Sequence, residues 1–177
     1  MIYIACLLIA GAVLALDLIS KYLAVKNEFN FVVIEKFLKF KLSYNTGAAF
    51  SFLSDKTWSQ IFFIVITVIA LLAIIAFFIF KLITKKRPSW WVAVAFSLMF
   101  SGALGNFIDR VSAGEVRDFI FVFYETDIFP AIFNVADMAL VSGVITTCVY
   151  LFFIDKDALF RRKPKDEKVS GNEEDNG

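Results

Sequence analysis

The sequence of 177 residues is 59% hydrophobic and only 20% charged, which is typical of membrane proteins and excludes an ordinary soluble domain. Eighteen Lys and Arg against 17 Asp and Glu give a formal net charge of +1, so no strong basic field attracts nucleic acid. The absence of histidine excludes Ser-His-Asp and Cys-His catalysis and two-His zinc sites.

Four apolar stretches are long enough to cross a bilayer, which takes roughly 20 residues each. They cover residues 2–25, 61–80, 90–107 and 133–154. The first has no basic n-region and a longer apolar run than a cleavable signal peptide, so we interpret it as a transmembrane helix. The sequence therefore predicts an all-α membrane protein with four transmembrane helices. We expect one integral membrane domain over residues 1–162 and a disordered cytoplasmic tail over residues 163–177.

Basic residues collect on one side of these spans. Ten Lys and Arg lie between spans two and three or after span four, whereas seven are spread over the two longer loops on the other side. Because Lys and Arg favour the cytoplasmic side, this distribution predicts that both termini are cytoplasmic.

The loops on the outer side carry structure of their own. Residues 31–52 are rich in apolar side chains, and polar and apolar residues alternate from Lys39 to Tyr44, which is the period of a half-buried strand. We therefore expect a small extracytoplasmic β platform between spans one and two. Residues 105–132 are expected to form a structured segment that partly dips into the membrane. Cys6 and Cys148 lie in apolar runs, and we expect both to be small core residues.

Polar and ionisable side chains converge at one depth of the membrane, where such groups mark a function or pair with one another. The alternating direction of the four spans places these residues on the outer side: Asp17, Asn106, Asp109, Asn134 and Asp137, with Asp118 in the loop that joins spans three and four.

Structural roles are available for several of these residues. Asp17 and Lys21 have the i, i+4 spacing of a helical ion pair, and Asp109 with Arg110 suits interfacial charges at a helix end. Asn134 is a candidate N-cap of span four. Asp137 is harder to explain in this way, because Asn134 would already supply the cap.

The pairing of Asp118 with Asp137 indicates chemistry. Two carboxylates at a poorly solvated edge do not both ionise cheaply, so they share a proton, and one acts as base while the other acts as acid. Such a pair activates water for peptide hydrolysis. A metal site is the competing interpretation, but no His or Cys is nearby and a hard cation would recruit more oxygen ligands.

The sequence resembles the lipoprotein signal peptidases, also called signal peptidase II. Five segments carry the resemblance in the family's order: Asp17–Lys21, Asn45–Ser51, Gly102–Arg110, Val116–Ile120 and Phe133–Asp137. Ser101 departs from the second glycine that the family often has there.

The resemblance implies an aspartic endopeptidase of the bacterial cytoplasmic membrane that needs no cofactor. Such an enzyme cleaves diacylglyceryl-modified prolipoproteins before the lipidated cysteine. The implied catalytic pair is Asp118 and Asp137. The implied substrate contacts are Asn45, Asn106, Arg110 and Asn134, and the supporting residues are Asp17, Lys21 and Asp109.

The resemblance also sets expectations about partners and location. The expected partners are prolipoprotein substrates and membrane lipid, and not nucleic acid. The protein is expected to be a monomer, to have its active site at the outer leaflet face, and to bind cyclic peptide inhibitors of the globomycin type.

Three other functions remain open from the residues alone. An ion- or proton-coupled transporter subunit would use its intramembrane carboxylates as a relay, although here they cluster at one interface. A non-enzymatic membrane scaffold would tolerate the loss of Asp118 or Asp137. A Ser–Lys protease would use Lys21 as base with Ser43 or Ser51 as nucleophile.

Overall fold

The computed structural model describes residues 1–47, 56–125 and 131–154. Its helices are α1 (Ile2–Lys26), α2 (Lys56–Ile83), α3 (Trp90–Ala113) and α4 (Val135–Val149), and α4 continues into a π-helical turn, Tyr150–Ile154. All four are long and apolar enough to cross a membrane, which confirms the predicted helical membrane fold. The expectations for the tail and for the domain end at residue 162 lie outside the described residues.

The outward faces of the helices explain why they lie in a bilayer. Helix α2 is strongly apolar along its length, and few of its residues are buried within the protein. The apolar surface that remains exposed, including Ile69, Leu72 and Phe80, would be costly in water and is compatible with lipid. Helix formation satisfies the backbone polar groups internally, as a lipid environment requires.

Small residues bring α3 and α4 into close contact. A Cβ atom at Gly102 would overlap the backbone oxygen of Ala136, and a Cβ at Gly143 would stand 2.6 Å from the backbone oxygen of Ala95. Close approach through small residues is a common way for membrane helices to associate. The N-terminus of α4, where the predicted site residues lie, is thereby fixed against α3.

An antiparallel sheet of four strands completes the fold. Its strands are β1 (Asn30–Ile34), β2 (Leu38–Asn45), β3 (Val116–Val122) and β4 (Ala131–Phe133), and they pair in the order β1-β2-β3-β4. The predicted β platform is therefore present, but half of it comes from the connection between α3 and α4. The sequence interpretation of residues 105–132 missed these two strands.

The pairing of β3 with β2 is the physical reason for that difference. Ser43 of β2 stands opposite Asp118 of β3, and Phe40 stands opposite Ile120. The ring of Phe119 lies 6.1 Å from that of Phe29 and 6.3 Å from that of Phe40 between centroids, and its side chain is buried. These aromatic contacts come from residues about 80 to 90 positions away in sequence, so local hydropathy did not reveal them.

The third helix is longer than predicted and ends at Ala113, not at residue 107. Asn106 and Asp109 lie within the helix, because buried polar partners on neighbouring elements satisfy them. Gly114 ends the helix in a left-handed conformation at φ 74°, and its backbone N–H donates to the carbonyl of Arg110. This is a common helix C-terminus for glycine.

The two cysteines differ in environment. Cys6 is buried, and its Sγ lies 3.8 Å from the backbone oxygen of Ala93, as expected for a small core residue. The same expectation was wrong for Cys148, which is exposed on the outer face of α4. An apolar run that faces lipid has the same composition as one that faces the core, so sequence did not separate the two cases.

Candidate active site

Five elements bring the predicted site residues into one hydrogen-bonded network. Helix α1 supplies two residues, α3 two, the N-terminus of α4 two, and strands β2 and β3 one each. In chain order the members are Asp17, Lys21, Asn45, Asn106, Asp109, Asp118, Asn134 and Asp137. All of these were candidates from the sequence.

The Lys21 side chain lies at the centre of the network and is fully buried. Its Nζ atom is 2.8 Å from Oδ2 of Asp17 and 3.2 Å from Oδ2 of Asp109, and it donates to Oδ1 of Asn106 at 3.0 Å. The predicted pair with Asp17 is therefore confirmed, but it is not only a local pair on one helix. Lys21 connects α1 to α3.

Asp109 joins α3 to the sheet. Oδ2 of Asp109 accepts from the backbone N–H of Arg117 at 3.0 Å. Oδ1 accepts from two atoms of the Arg117 side chain, Nε at 3.2 Å and Nη2. Asp109 is fully buried, so its interpretation as an ordinary interfacial charge was wrong. This carboxylate raises the pKa of Arg117 on β3. No role was predicted for Arg117 from the sequence, where its place beside Asp118 in the segment Val116–Ile120 was the only signal.

Asn134 and Asp137 form a reciprocal cap at the start of α4. Oδ1 of Asn134 accepts from the backbone N–H of Asp137 at 2.9 Å, and Oδ2 of Asp137 accepts from the backbone N–H of Asn134 at 3.2 Å. The predicted N-cap is confirmed. The expectation that Asp137 has no capping role was wrong, because the three-residue spacing lets the two side chains cap one another.

Every carboxylate oxygen of Asp118 and Asp137 accepts a hydrogen bond from an N–H donor. Asp118 accepts from Nδ2 of Asn134 at 2.6 Å and from Nδ2 of Asn45 at 2.9 Å. Asp137 accepts from Nδ2 of Asn106 at 2.7 Å through Oδ1, while its Oδ2 takes the cap bond. Asn134 therefore contacts both carboxylates.

Burial controls the protonation of Asp118, which is only 1% exposed. Burial raises the pKa of Asp118 to about 6, and the negative charge of Asp137 acts in the same direction. The hydrogen bonds from Asn45 and Asn134 favour the carboxylate and oppose this rise. Asp118 therefore exchanges its proton much closer to neutral pH than an ordinary aspartate does.

Arg110 lies beside the network, and not all of its N–H donors are hydrogen-bonded. Its guanidinium lies 4.9 Å from the ring centroid of Phe63, and Nη1 makes one long bond of 3.4 Å to the backbone oxygen of Asn106. Its buried Nε has no hydrogen-bond partner among the described residues. Such a group is suited to contact an oxygen of a bound molecule.

The proposed Ser–Lys pair finds little support in this geometry. The contacts of the Lys21 ammonium are with Asp17, Asp109 and Asn106, and none is with a serine hydroxyl among the described residues. Ser43 faces Asp118 across β2 and β3, and Ser51 lies outside the described residues. Within residues 1–47, 56–125 and 131–154, no group of three or more Cys, Asp or Glu side chains is arranged to hold a metal ion.

Comparison with known proteins gives one consistent result. The family model described as signal peptidase (SPase) II matches residues 9–153. The lipoprotein signal peptidases of Staphylococcus aureus strains bovine RF122 / ET3-1 and MRSA252 are each 42% identical over 151 residues, which is 82% of this chain and 86% of theirs. A solved bacterial membrane enzyme is similar with a TM-score of 0.71 and 36% identity, over 90% of this chain and 94% of that one. A second has a TM-score of 0.70 and 38% identity, over 85% of this chain and 94% of that one.

Proposed function

The chain belongs to the signal peptidase II family, and we propose that it is an aspartic endopeptidase that removes the signal peptide from diacylglyceryl-modified prolipoproteins. Cleavage occurs before the lipidated cysteine. The observation that carries the proposal is that Asn134 contacts both Asp118 and Asp137, and that asparagine amides and one backbone N–H donate to all four of their carboxylate oxygens. The catalytic, substrate-contacting and supporting roles are those that the resemblance implies.

The two aspartates have different environments, and this difference supports different roles. Asp137 lies in the first turn of α4, where its Oδ2 accepts from the backbone N–H of Asn134. Asp118 lies in β3, where burial raises its pKa to about 6. Because its pKa is raised, Asp118 carries the shared proton in the proposed pair, and Asp137 is assigned as the base.

The proton transfers of peptide hydrolysis follow from this assignment. Asp137 takes a proton from water as the water oxygen bonds to the scissile carbonyl carbon, and Asp118 gives its proton to the carbonyl oxygen. When the C–N bond breaks, the proton on Asp137 passes to the leaving nitrogen, and the new hydroxyl returns a proton to Asp118. The unfilled Nε donor of Arg110 is available to a substrate oxygen.

The membrane location suits this substrate class. A signal helix and two acyl chains stay in lipid while the scissile bond reaches Asp118 at the membrane edge. The distribution of Lys and Arg supports cytoplasmic termini and an active site at the outer face of the bacterial cytoplasmic membrane. A monomer holds the complete network within one chain, and inhibitors of the globomycin type are expected to occupy the same site.

Reconstitution tests the proposal directly. The purified protein in phospholipid nanodiscs is given a diacylglyceryl-modified prolipoprotein, and mass spectrometry identifies the new N-terminus. We expect release of the signal peptide with the lipidated cysteine first in the product. Asp118→Asn and Asp137→Asn should each reduce turnover on the order of 10²–10⁴-fold, whereas the exposed Glu28→Gln should leave it unchanged. Cleavage at the wild-type rate by either aspartate variant would contradict the assignment of the pair.

A further inference from the structure

Three asparagine amides contact the two carboxylates, and a donor-only group fixes the orientation of each. Oδ1 of Asn45 accepts from the backbone N–H of Gly47 at 2.8 Å, and Oδ1 of Asn134 accepts from the backbone N–H of Asp137 at 2.9 Å. Oδ1 of Asn106 accepts from Nζ of Lys21 at 3.0 Å. Because neither a backbone N–H nor an ammonium accepts a hydrogen bond, each amide must present its oxygen there and its NH2 group to a carboxylate.

Lys21 is the only side chain among these three orienting groups, and its own position is tightly determined. Its ammonium lies among three oxygens: it forms ion pairs with Asp17 and Asp109 and donates a hydrogen bond to Asn106. Asp17 is held in turn, because its Oδ1 accepts from the backbone N–H of Ala136 at 2.9 Å. The ammonium is thus fixed from α1, α3 and the start of α4 without contact with solvent.

The hydrogen bond from Lys21 to Asn106 becomes important because Asp137 gains and loses a proton in the proposed cycle. While Asp137 is ionised, it accepts a bond from Nδ2 of Asn106 and so holds the amide in place. Once Asp137 takes a proton it becomes a donor, and it then tolerates a rotated Asn106 whose oxygen faces it. Lys21 remains a donor throughout and, together with the bond from Nδ2 of Asn134 to the same oxygen, opposes that rotation.

We propose that Lys21 is a positioning residue, which keeps the NH2 group of Asn106 directed at Asp137 when Asp137 becomes protonated. The proposal rests on the proposed function, because it assumes that Asp137 gains and loses a proton in each turnover. Lys21 touches neither water nor substrate in this role. Its effect passes through Asn106, which also accepts from Nδ2 of Asn134 at 3.1 Å.

A pair of double variants separates the hydrogen bond from the charge. Asp17→Asn/Lys21→Gln and Asp17→Asn/Lys21→Met both remove one positive and one negative charge and have side chains of similar length. The glutamine retains an N–H donor, which Asp109 and Asn106 favour because both present acceptors to it. The methionine retains none.

Kinetics and spectroscopy on these variants test the proposal. In nanodiscs with the prolipoprotein substrate, kcat of the methionine variant should fall about 10- to 100-fold below that of the glutamine variant, with KM unchanged. In protein labelled with ¹⁵N at asparagine, the methionine variant should show a second Asn106 side-chain amide signal as pH is lowered. The glutamine variant and the wild type should show one signal.

Several outcomes would overturn the role given to Lys21. Equal kcat values in the two double variants, or a single Asn106 signal in both at low pH, would show that Lys21 does not orient the amide. Thermal unfolding in the same nanodiscs identifies a loss that is only structural. If the methionine variant does not fold, Asp17→Asn/Lys21→Gln against Asp17→Asn/Lys21→Leu repeats the comparison at equal charge. Failure of the proposed function is distinguishable, because the wild type would then not cleave while the amide signals would still report on Asn106.

Discussion

Gly105 of α3 lies directly against the carboxylate of Asp17 on α1. A Cβ atom at position 105 would overlap Oδ2 of Asp17, which is the atom that pairs with Lys21, and would stand 3.2 Å from Cβ of Ala136. The absence of a side chain at Gly105 therefore allows α1, α3 and α4 to meet around the buried ion pair. Glycine is required here for close approach, not for backbone freedom.

Gly105→Ala should consequently displace Asp17 and reduce both stability and activity. We expect a loss of about 1–3 kcal/mol in the free energy of unfolding, as is usual when a methyl group is forced into a packed site. Gly11→Ala on α1 is the matched control, because nothing lies within 4 Å of a Cβ at that position. Thermal unfolding in one detergent compares the two variants. An equal effect of both would show that Asp17 moves aside without cost.

Asp109→Asn should be among the most destabilising changes in the chain. Asp109 is the shared partner of Lys21 and Arg117, and Lys21 is fully buried. Removal of one partner from a buried ion pair costs about 3–5 kcal/mol, and here Arg117 loses its carboxylate partner while Lys21 keeps only Asp17. Arg117→Met should cost less, since the Arg117 side chain is 24% exposed and Lys21 still faces Asp109. Chemical unfolding in mixed micelles gives both values, and a larger loss for Arg117→Met would reverse this order.

Asp118 should make the folded protein less stable as pH rises. Its pKa is raised from 3.8 to about 6 by folding, so the native state binds this proton more tightly than the unfolded state does. The resulting stabilisation is fully present below about pH 4 and is lost as pH rises through about 6. A rise of this size corresponds to about 3 kcal/mol at most.

The comparison of wild type with Asp118→Asn isolates this effect. Asparagine does not titrate, so the difference in melting temperature, variant minus wild type, should increase between pH 4 and pH 7. A constant offset from the altered hydrogen bonds to Asn45 and Asn134 does not affect this slope. A difference that stays flat or decreases over that range would show that burial does not raise the pKa of Asp118.

The four helices were predictable, because length and hydropathy are local properties of the sequence. The set of site residues, which includes Asn45, depended on the resemblance to a family. The i, i+4 spacing of Asp17 and Lys21 and the cap at Asn134 are likewise local, and both are present. The proposed roles of Asp118 and Asp137 remain predictions.

The contacts between distant segments were not predictable in the same way. Arg117 binds Asp109 only because β3 turns back onto the end of α3, and Asp109 is buried only because Lys21 approaches from α1. Strand β3 itself depends on pairing with β2, whose Ser43 stands opposite Asp118. Periodicity within one segment carries no information on such partners. For this reason the predicted third helix was too short, and strands β3 and β4 were not predicted.

The pH dependence of turnover is the last prediction, and it follows from the coupling of Asp118 with Asp137. The active pair holds one proton, so kcat/KM should follow a bell, which falls in acid when both groups are protonated and in alkali when both are ionised. The pKa of about 6 for Asp118 places the alkaline limb of the free enzyme near that pH.

Asn45→Leu should move the alkaline limb of this profile to higher pH, because it removes a hydrogen bond that favours the Asp118 carboxylate. Glu28→Gln should leave the limb in place. These profiles are measured in a detergent that does not titrate, with substrate binding checked separately. A limb that moves to lower pH in Asn45→Leu would contradict the assignment of Asp118 as the proton holder. A profile that instead rises through about 10.4, the ordinary pKa of lysine, would favour Lys21 as the base.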